Sequence, residues 1–235
     1  MNISLLVPTR NRPIQLRKLI ISAYETASDP DSVEFCFYIN DEGASTDSEE
    51  VITSFNNKNL RFKRGEKCIL GELWNRALEL ATADILWHGN DDIVFRTSGW
   101  DKVILDAFEA CKDKILFVYP ANGNPKQQSG THGFLHRNWV DVIGYFTAPY
   151  FSSDCCDGWL NEVAISLGRR VFVPNVLLEH MHFTLKKSSM DSVYAERIEA
   201  GVRDNVGQIY LDKAPERLDN IRKLQEFIDN YGEIN

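Results

Sequence analysis

Three short apolar runs constrain this chain more than any other feature: Ile3 to Val7, Val33 to Ile39 and Ile85 to Trp87. Each has the length of a buried strand, each stops at a polar turn, and stretches of helical period separate them. Asn11 can cap a helix whose first turn holds Pro13 and which runs to about Ala27, with Leu16, Leu19, Ile20 and Ala23 on one face. Asp47 or Ser48 starts a second helix, and Leu60 to Phe62 reads as a short strand. Gly71 to Ala83 reads as a third helix, burying Leu73, Ala77, Leu80 and Ala81. The order β-α-β-α-β calls for an α/β fold with a mostly parallel sheet and helices on both faces.

The third run leads into Gly89-Asn90-Asp91-Asp92 and then into another apolar run, Ile93 to Phe95. In open α/β sheets ligands bind just outside the carboxyl ends of the strands, where Asp91 and Asp92 fall. Adjacent like charges repel, so such a pair calls for a cation. Oxygen donors suit magnesium or manganese, which commonly hold a substrate's phosphates as well. Asn and Asp are also favoured turn and cap residues, so this segment alone reads equally as a plain turn. At the same sheet edge, Pro8, Thr9 and Arg10 close the first strand, with Thr9 placed for a base and Arg10 for a phosphate. Asp41, in Asn40-Asp41-Glu42-Gly43, can accept from a base N–H or a ribose hydroxyl. Those two segments also read as a capped loop and a turn. No Gly-x-Gly-x-x-Gly or Gly-Lys-Ser loop follows the first strand, so dinucleotide and ATP-cradling readings lose support.

Downstream, the pattern predicts a helix at Gly99 to Cys111, a strand at Ile115 to Tyr119, a loop over 120–130 and a strand at Thr131 to His136. Helices at Asn138 to Gly144 and Asp154 to Leu167 follow, then strands at Arg170 to Val173 and Asn175 to His182. In Asp154-Cys155-Cys156-Asp157 two carboxylates stand three apart at a helix start, on neighbouring positions of one face. Either suits a general base, and either suits a cap or a first-turn carboxylate. His180 and His182 share one face of a strand end, a metal-ligand spacing. No Cys completes a structural zinc set, so a catalytic divalent site is the better metal reading. The charged tail from Asp191 carries Leu218, Ile221, Leu224 and Ile228 at helical spacing. The expected organisation is one domain over 1–185 with a helical extension over 186–235 packed on it.

A net charge of −8 argues against general nucleic-acid binding, although Arg61 to Lys67 and Lys186-Lys187 are local basic clusters. Five cysteines without a Cys-x-x-Cys pair fit a reduced, cytoplasmic protein. No segment approaches the roughly 20 apolar residues of a membrane span. A soluble protein is therefore expected, with a peripheral membrane association left open.

Taken in order, these segments resemble the GT-A nucleotide-diphosphosugar transferases near glycosyltransferase family 2. The pieces are Leu6 to Arg12, Asn40-Asp41, Leu73 to Ala77 with Ala83 to Ile85, Asn90 to Asp92, Asp154 to Leu160, Val173 to Val176 and His180. The resemblance implies a Rossmann-like mixed sheet flanked by helices and a metal-dependent, inverting glycosyltransferase using Mn2+ or Mg2+. It implies that Pro8, Thr9, Arg10, Asp41 and Asn90 hold the nucleotide, with a UDP-sugar favoured. Asp91, Asp92, His180 and His182 would serve the metal and diphosphate, and Asp154 or Asp157 would be the base. The chain departs from the pattern where Asn90 or Gly89 replaces the first carboxylate of Asp-x-Asp, and where Asp154-Cys155-Cys156-Asp157 replaces a Glu-Asp pair. The first departure keeps a rival open, a non-catalytic sugar-nucleotide or carbohydrate-binding module. A nucleotidyltransferase would carry a Gly-rich basic loop after the first strand, and a metallohydrolase a larger His/Asp cluster. The five tryptophans offer sugar-stacking surfaces, though most read as core.

Overall fold

Strand β1 (Ile3–Thr9) lies between β2 (Val33–Asn40) and β4 (Ile85–His88), parallel to both, and β2 pairs in parallel with β3 (Leu60–Gly65). All of β2, and all of β1 except Pro8, is buried, as expected of parallel strands covered on both faces. Helices α1 (Pro13–Thr26), α2 (Asp47–Ser54) and α3 (Leu70–Leu78) make the crossovers. The computed structural model describes residues 1–41, 43 and 45–234, with side chains through Tyr231. Glu42 of the expected turn and Asn235 of the expected tail lie outside the described residues.

Beyond β4 the sheet turns antiparallel. β7 (Phe134–His136) pairs with β4 and with β6 (Phe117–Ala121), while β8 (Arg170–His180) runs parallel to β6 and antiparallel to β5 (Ile93–Phe95). The order is β3-β2-β1-β4-β7-β6-β8-β5, a mixed eight-stranded sheet. Helices α4 (Trp100–Glu109), α5 (Arg137–Ile143) and α6 (Cys156–Ser166) belong to this half, followed by α7 (Ser192–Arg203), α8 (Val206–Asp212) and α9 (Ala214–Ile234). One apolar core packs α1, α2 and α4 against the sheet and contains Trp87 and Trp100. The other packs α3, α5, α6 and α9 and contains Trp139, Trp159 and the fully buried Leu224. Among the described residues no helix is long and apolar enough to cross a membrane.

Three local differences from the sequence reading have physical causes. Asn11 takes a left-handed φ of 55°, and Arg12, not Asn11, occupies the cap position before Pro13. The two strands expected after Gly168 are one, β8, because a register shift against β6 absorbs Pro174, which has no N–H for the ladder. Helix α6 starts at Cys156, after Cys155 at a left-handed φ of 78°, so Asp154 stands before the helix and Asp157 inside its first turn.

Candidate active site

The acidic turn is fastened from three sides. Gly89 N–H donates to Leu6 O of β1 (3.1 Å), the Trp74 indole donates to Gly89 O (2.7 Å), and Met181 N–H donates to Asp92 O (2.9 Å). A Cβ at Gly89 would collide with the Trp87 ring, so the close turn requires glycine. The two carboxylates then part company. Asp91 turns inward, where Thr9 Oγ1 donates to Oδ2 (2.9 Å) and Arg12 Nη1 to Oδ1 (3.0 Å). Asp92 accepts the Tyr194 hydroxyl at Oδ2 and has His180 Nε2 3.2 Å from the same oxygen. Its Oδ1 is buried with no partner.

These surroundings set different charges. Burial lifts the Asp91 carboxyl above its ordinary pKa, against the pull of Arg12. Burial also opposes ionisation of Asp92, but His180, Tyr194 and Arg12 outweigh it and hold that carboxyl below the usual range. Arg12 is itself buried, and the facing carboxylates keep it charged in spite of that. Its Nε and Nη2 donate to Asp191 at 2.8 and 2.9 Å, and its guanidinium lies 4.2 Å from the centre of the Tyr194 ring.

Helix α7 thus closes the site. Asp191 caps it by accepting from Tyr194 N–H (3.0 Å), and Glu196 accepts from Arg10 (2.8 Å) and Lys67 (2.7 Å). A cavity of about 170 Å³ lies beneath, bordered by Pro8, Asn40, Trp74, Asn90, Asp92 and Asp157. A second, of about 530 Å³, adjoins it along Arg10, Asn40 and Arg197 and reaches Lys67 and Glu196.

The same cavity is bordered by a second acidic pole. Asp157 Oδ1 is 3.1 Å from His88 Nδ1, and the His88 ring packs on Trp74 with centroids 4.0 Å apart. Burial raises the Asp157 carboxyl, but His88 above all pulls it below its ordinary value. The Asp154 side chain is 71% exposed and lies 3.7 Å from Arg197.

The structure therefore brings Pro8, Thr9, Arg10, Asn90, Asp91, Asp92, Asp154 and Asp157 around one cavity. Asp41 is not among its lining residues; it pairs with Arg64 and accepts from Gly43 N–H (2.9 Å). His180 stands behind Asp92, with the buried His132 Nε2 3.3 Å from its Nδ1. The His182 ring lies against His180 at a 54° tilt with centroids 4.8 Å apart, but its Nδ1 is 2.7 Å from Thr184 Oγ1 and caps a short 3-10 turn. Burial pushes His182 down to about 4 and His132 to about 3.

Sequence reasoning gave no site role to Arg12, Asn40, His88, His132, Tyr194 and Arg197, and named Trp74 only among five candidate sugar-stacking tryptophans. His88 carried a signal, since it ends the apolar run at a strand's carboxyl end. Arg12, next to the helix-starting Pro13, was the cation that the acidic pair demanded. His132 and Tyr194 reach the site from loop and tail positions with no local pattern to mark them.

Among the described residues no group of three or more His, Cys, Asp or Glu side chains is arranged to hold an ion by itself. Asp92 and His180 nonetheless offer an oxygen and an imidazole nitrogen, and the partnerless Asp92 Oδ1 is a free donor atom. The carboxylate fits magnesium or manganese, which are bound through one or two carboxylates and complete their shell with substrate phosphates.

No family model matches the sequence, and no curated protein matches it. Solved structures resemble the fold. The mannosyltransferase PcManGT from Pyrobaculum calidifontis, in complex with GDP-Man and Mn2+, has a TM-score of 0.63 over 96% of this chain and 69% of its own, at 13% identity. S. aureus TarS gives 0.62 over 76% of this chain at 14% identity, and this chain spans only 36% of TarS. TarS 1-349 in complex with UDP-GlcNAc gives 0.61 over 83% of this chain and 64% of its own, at 14% identity. At such identities the likeness is one of architecture, and the chain has the GT-A fold of nucleotide-sugar glycosyltransferases.

Proposed function

We propose that this protein is an inverting glycosyltransferase that moves a sugar from a nucleoside-diphosphate donor to an acceptor hydroxyl. The observation that carries the reading is one cavity bordered by two acidic poles, each a carboxylate held below its ordinary pKa beside a histidine, Asp92 with His180 and Asp157 with His88. Pro8, Thr9, Asn40 and Asn90 supply the nucleoside end, and Arg10, Lys67 and Arg197 the cations for the diphosphate. Asp92 and His180 would hold a divalent ion, with Asp91 committed to Arg12 and His182 to its turn. When bound, that ion supplies neutralisation of the charge that develops on the leaving diphosphate. Asp157 takes the proton of the acceptor hydroxyl as the new bond to the sugar forms and the bond to the diphosphate breaks. Asp154, outside the helix and exposed, serves Arg197 instead.

The similar structures were solved with UDP, with UDP-GlcNAc and with GDP-Man, so uridine and guanosine diphosphates are the donors to try first. A thermal-shift panel of UDP, GDP, CDP, TDP and ADP, each with and without manganese, tests the reading. One nucleotide should stabilise the protein in a manganese-dependent way, and Asp92→Ala should abolish the effect. If no nucleotide shifts the melting point, the donor site is absent and the binding-module reading replaces this one.

A further inference from the structure

The geometry points to His88 as the positioning residue of Asp157, holding Oδ1 so that the other carboxylate oxygen faces the cavity. This rests on the reading of Asp157 as the base. His88 is 3% exposed at the carboxyl end of β4, and its backbone N–H donates to Gly133 O (2.8 Å). Its ring is held between Trp74, at 4.0 Å between centroids, and Phe146, at 6.0 Å. Trp74 is in turn fixed by its bond to Gly89 O, so the imidazole has little room to move. His88 Nδ1 and Asp157 Oδ1 stand 3.1 Å apart, both buried and neither otherwise partnered. Among the described residues neither atom has a hydrogen-bond partner elsewhere, and an unpaired buried polar atom is costly.

The exposure pattern of Asp157 gives the direction. Its side chain is 38% exposed although Oδ1 is buried, so the open part is the side that borders the cavity. A carboxylate on the first turn of a helix otherwise swings about two torsions. Tying one oxygen to a ring locked into the sheet converts a mobile group into an aimed one, which is how supporting residues raise the rate of a positioned step. Donation from Nδ1 requires the proton on that nitrogen, so the pair also fixes the tautomer of His88. His132 and His180 also face Asp157 closely enough to favour its ionised form, and Arg197 lies 3.7 Å from neighbouring Asp154.

The test compares His88→Leu, which keeps bulk and removes the donor, with His88→Asn, whose amide nitrogen takes the place of Nδ1. The assay is hydrolysis of whichever UDP- or GDP-sugar the nucleotide panel selects, with water as acceptor. His88→Leu should lower kcat about 10- to 100-fold and leave donor KM within about twofold. It should move the acidic limb of the kcat–pH profile upward, and His88→Asn should recover most of the rate and the profile. Full kcat in His88→Leu, or loss shared between kcat and KM without rescue by Asn, overturns the proposal. A second measurement needs no turnover: long-range 1H–15N spectra of His88 should show the proton on Nδ1 in the native protein and its loss of preference in Asp157→Asn. A native Nε2–H tautomer overturns the proposal even if His88→Leu fails to fold. Full activity in Asp157→Asn, by contrast, refutes the base reading while the tautomer result still reports on the pair.

Discussion

The two acidic poles of the cavity use the same residue type to different ends. At the acidic turn, adjacent Asp91 and Asp92 diverge: one is closed in by Thr9 and Arg12, the other keeps a partnerless oxygen beside His180. At the start of α6, Asp157 meets His88 inside the fold while Asp154, three residues earlier, lies in solvent. In each pair the two carboxylates end in different surroundings. Neighbours contributed from far along the chain make the choice, because burial and a single opposite charge shift a carboxylate more than its own sequence position does.

The largest effect should come from the second pole. Asp157→Asn should lower turnover by roughly 10²- to 10⁴-fold, the usual contribution of a general base, while the nucleotide-induced melting shift persists. If turnover survives, the two poles are not divided as argued. At the first pole the strongest consequence is for folding. Arg12→Met leaves Asp91 buried without its cation and should cost about 3–5 kcal/mol in urea unfolding, since removing one partner of a buried pair strands the other. A double variant, Arg12→Met with Asp91→Leu, should regain much of that loss if Asp91 is structural. No recovery would mean that Asp91 has a role beyond the pair.

Legibility follows the same division. The parallel half was readable because strands covered on both faces are continuous apolar runs with helical connections of ordinary length. In the antiparallel half, β7 has three residues and β8 passes through Pro174 by a register shift, neither of which leaves a clean period. Site residues at the carboxyl ends of β1 and β4 could be named from the turn chemistry alone. Their partners could not: Arg12 meets Asp91 across 79 positions and Tyr194 meets Asp92 across 102. The sequence demanded a cation for the acidic pair, but only the packing of α1 on the turn brings that cation from Arg12.

The imidazoles behind the first pole predict a moderate pH effect. Burial holds His132 at about 3 and His182 at about 4, against about 6.5 when unfolded. The unfolded chain therefore binds more protons between these values, so this stability is complete above about pH 6.5 and is lost as pH falls towards 3. Asp91, raised by burial, works in the opposite sense as its folded carboxyl takes up a proton first. Three depressed histidines, His136 being the third, against the raised Asp91 carboxyl should leave a net fall in the urea midpoint from pH 6.5 to 4, and His132→Gln should flatten it. An equally steep profile in that variant would remove His132 from the account.

The smallest effect is the most diagnostic. Asp154 satisfies the same spacing rule as Asp157, yet 71% of its side chain is exposed and it lies 3.7 Å from Arg197. Exposed pairs contribute about 0–1 kcal/mol. Asp154→Asn should then leave turnover within about threefold and stability within about 0.5 kcal/mol, in the range of an ordinary surface substitution. A loss of 10²-fold or more in Asp154→Asn, with Asp157→Asn nearly silent, would transfer the base to the outer carboxylate.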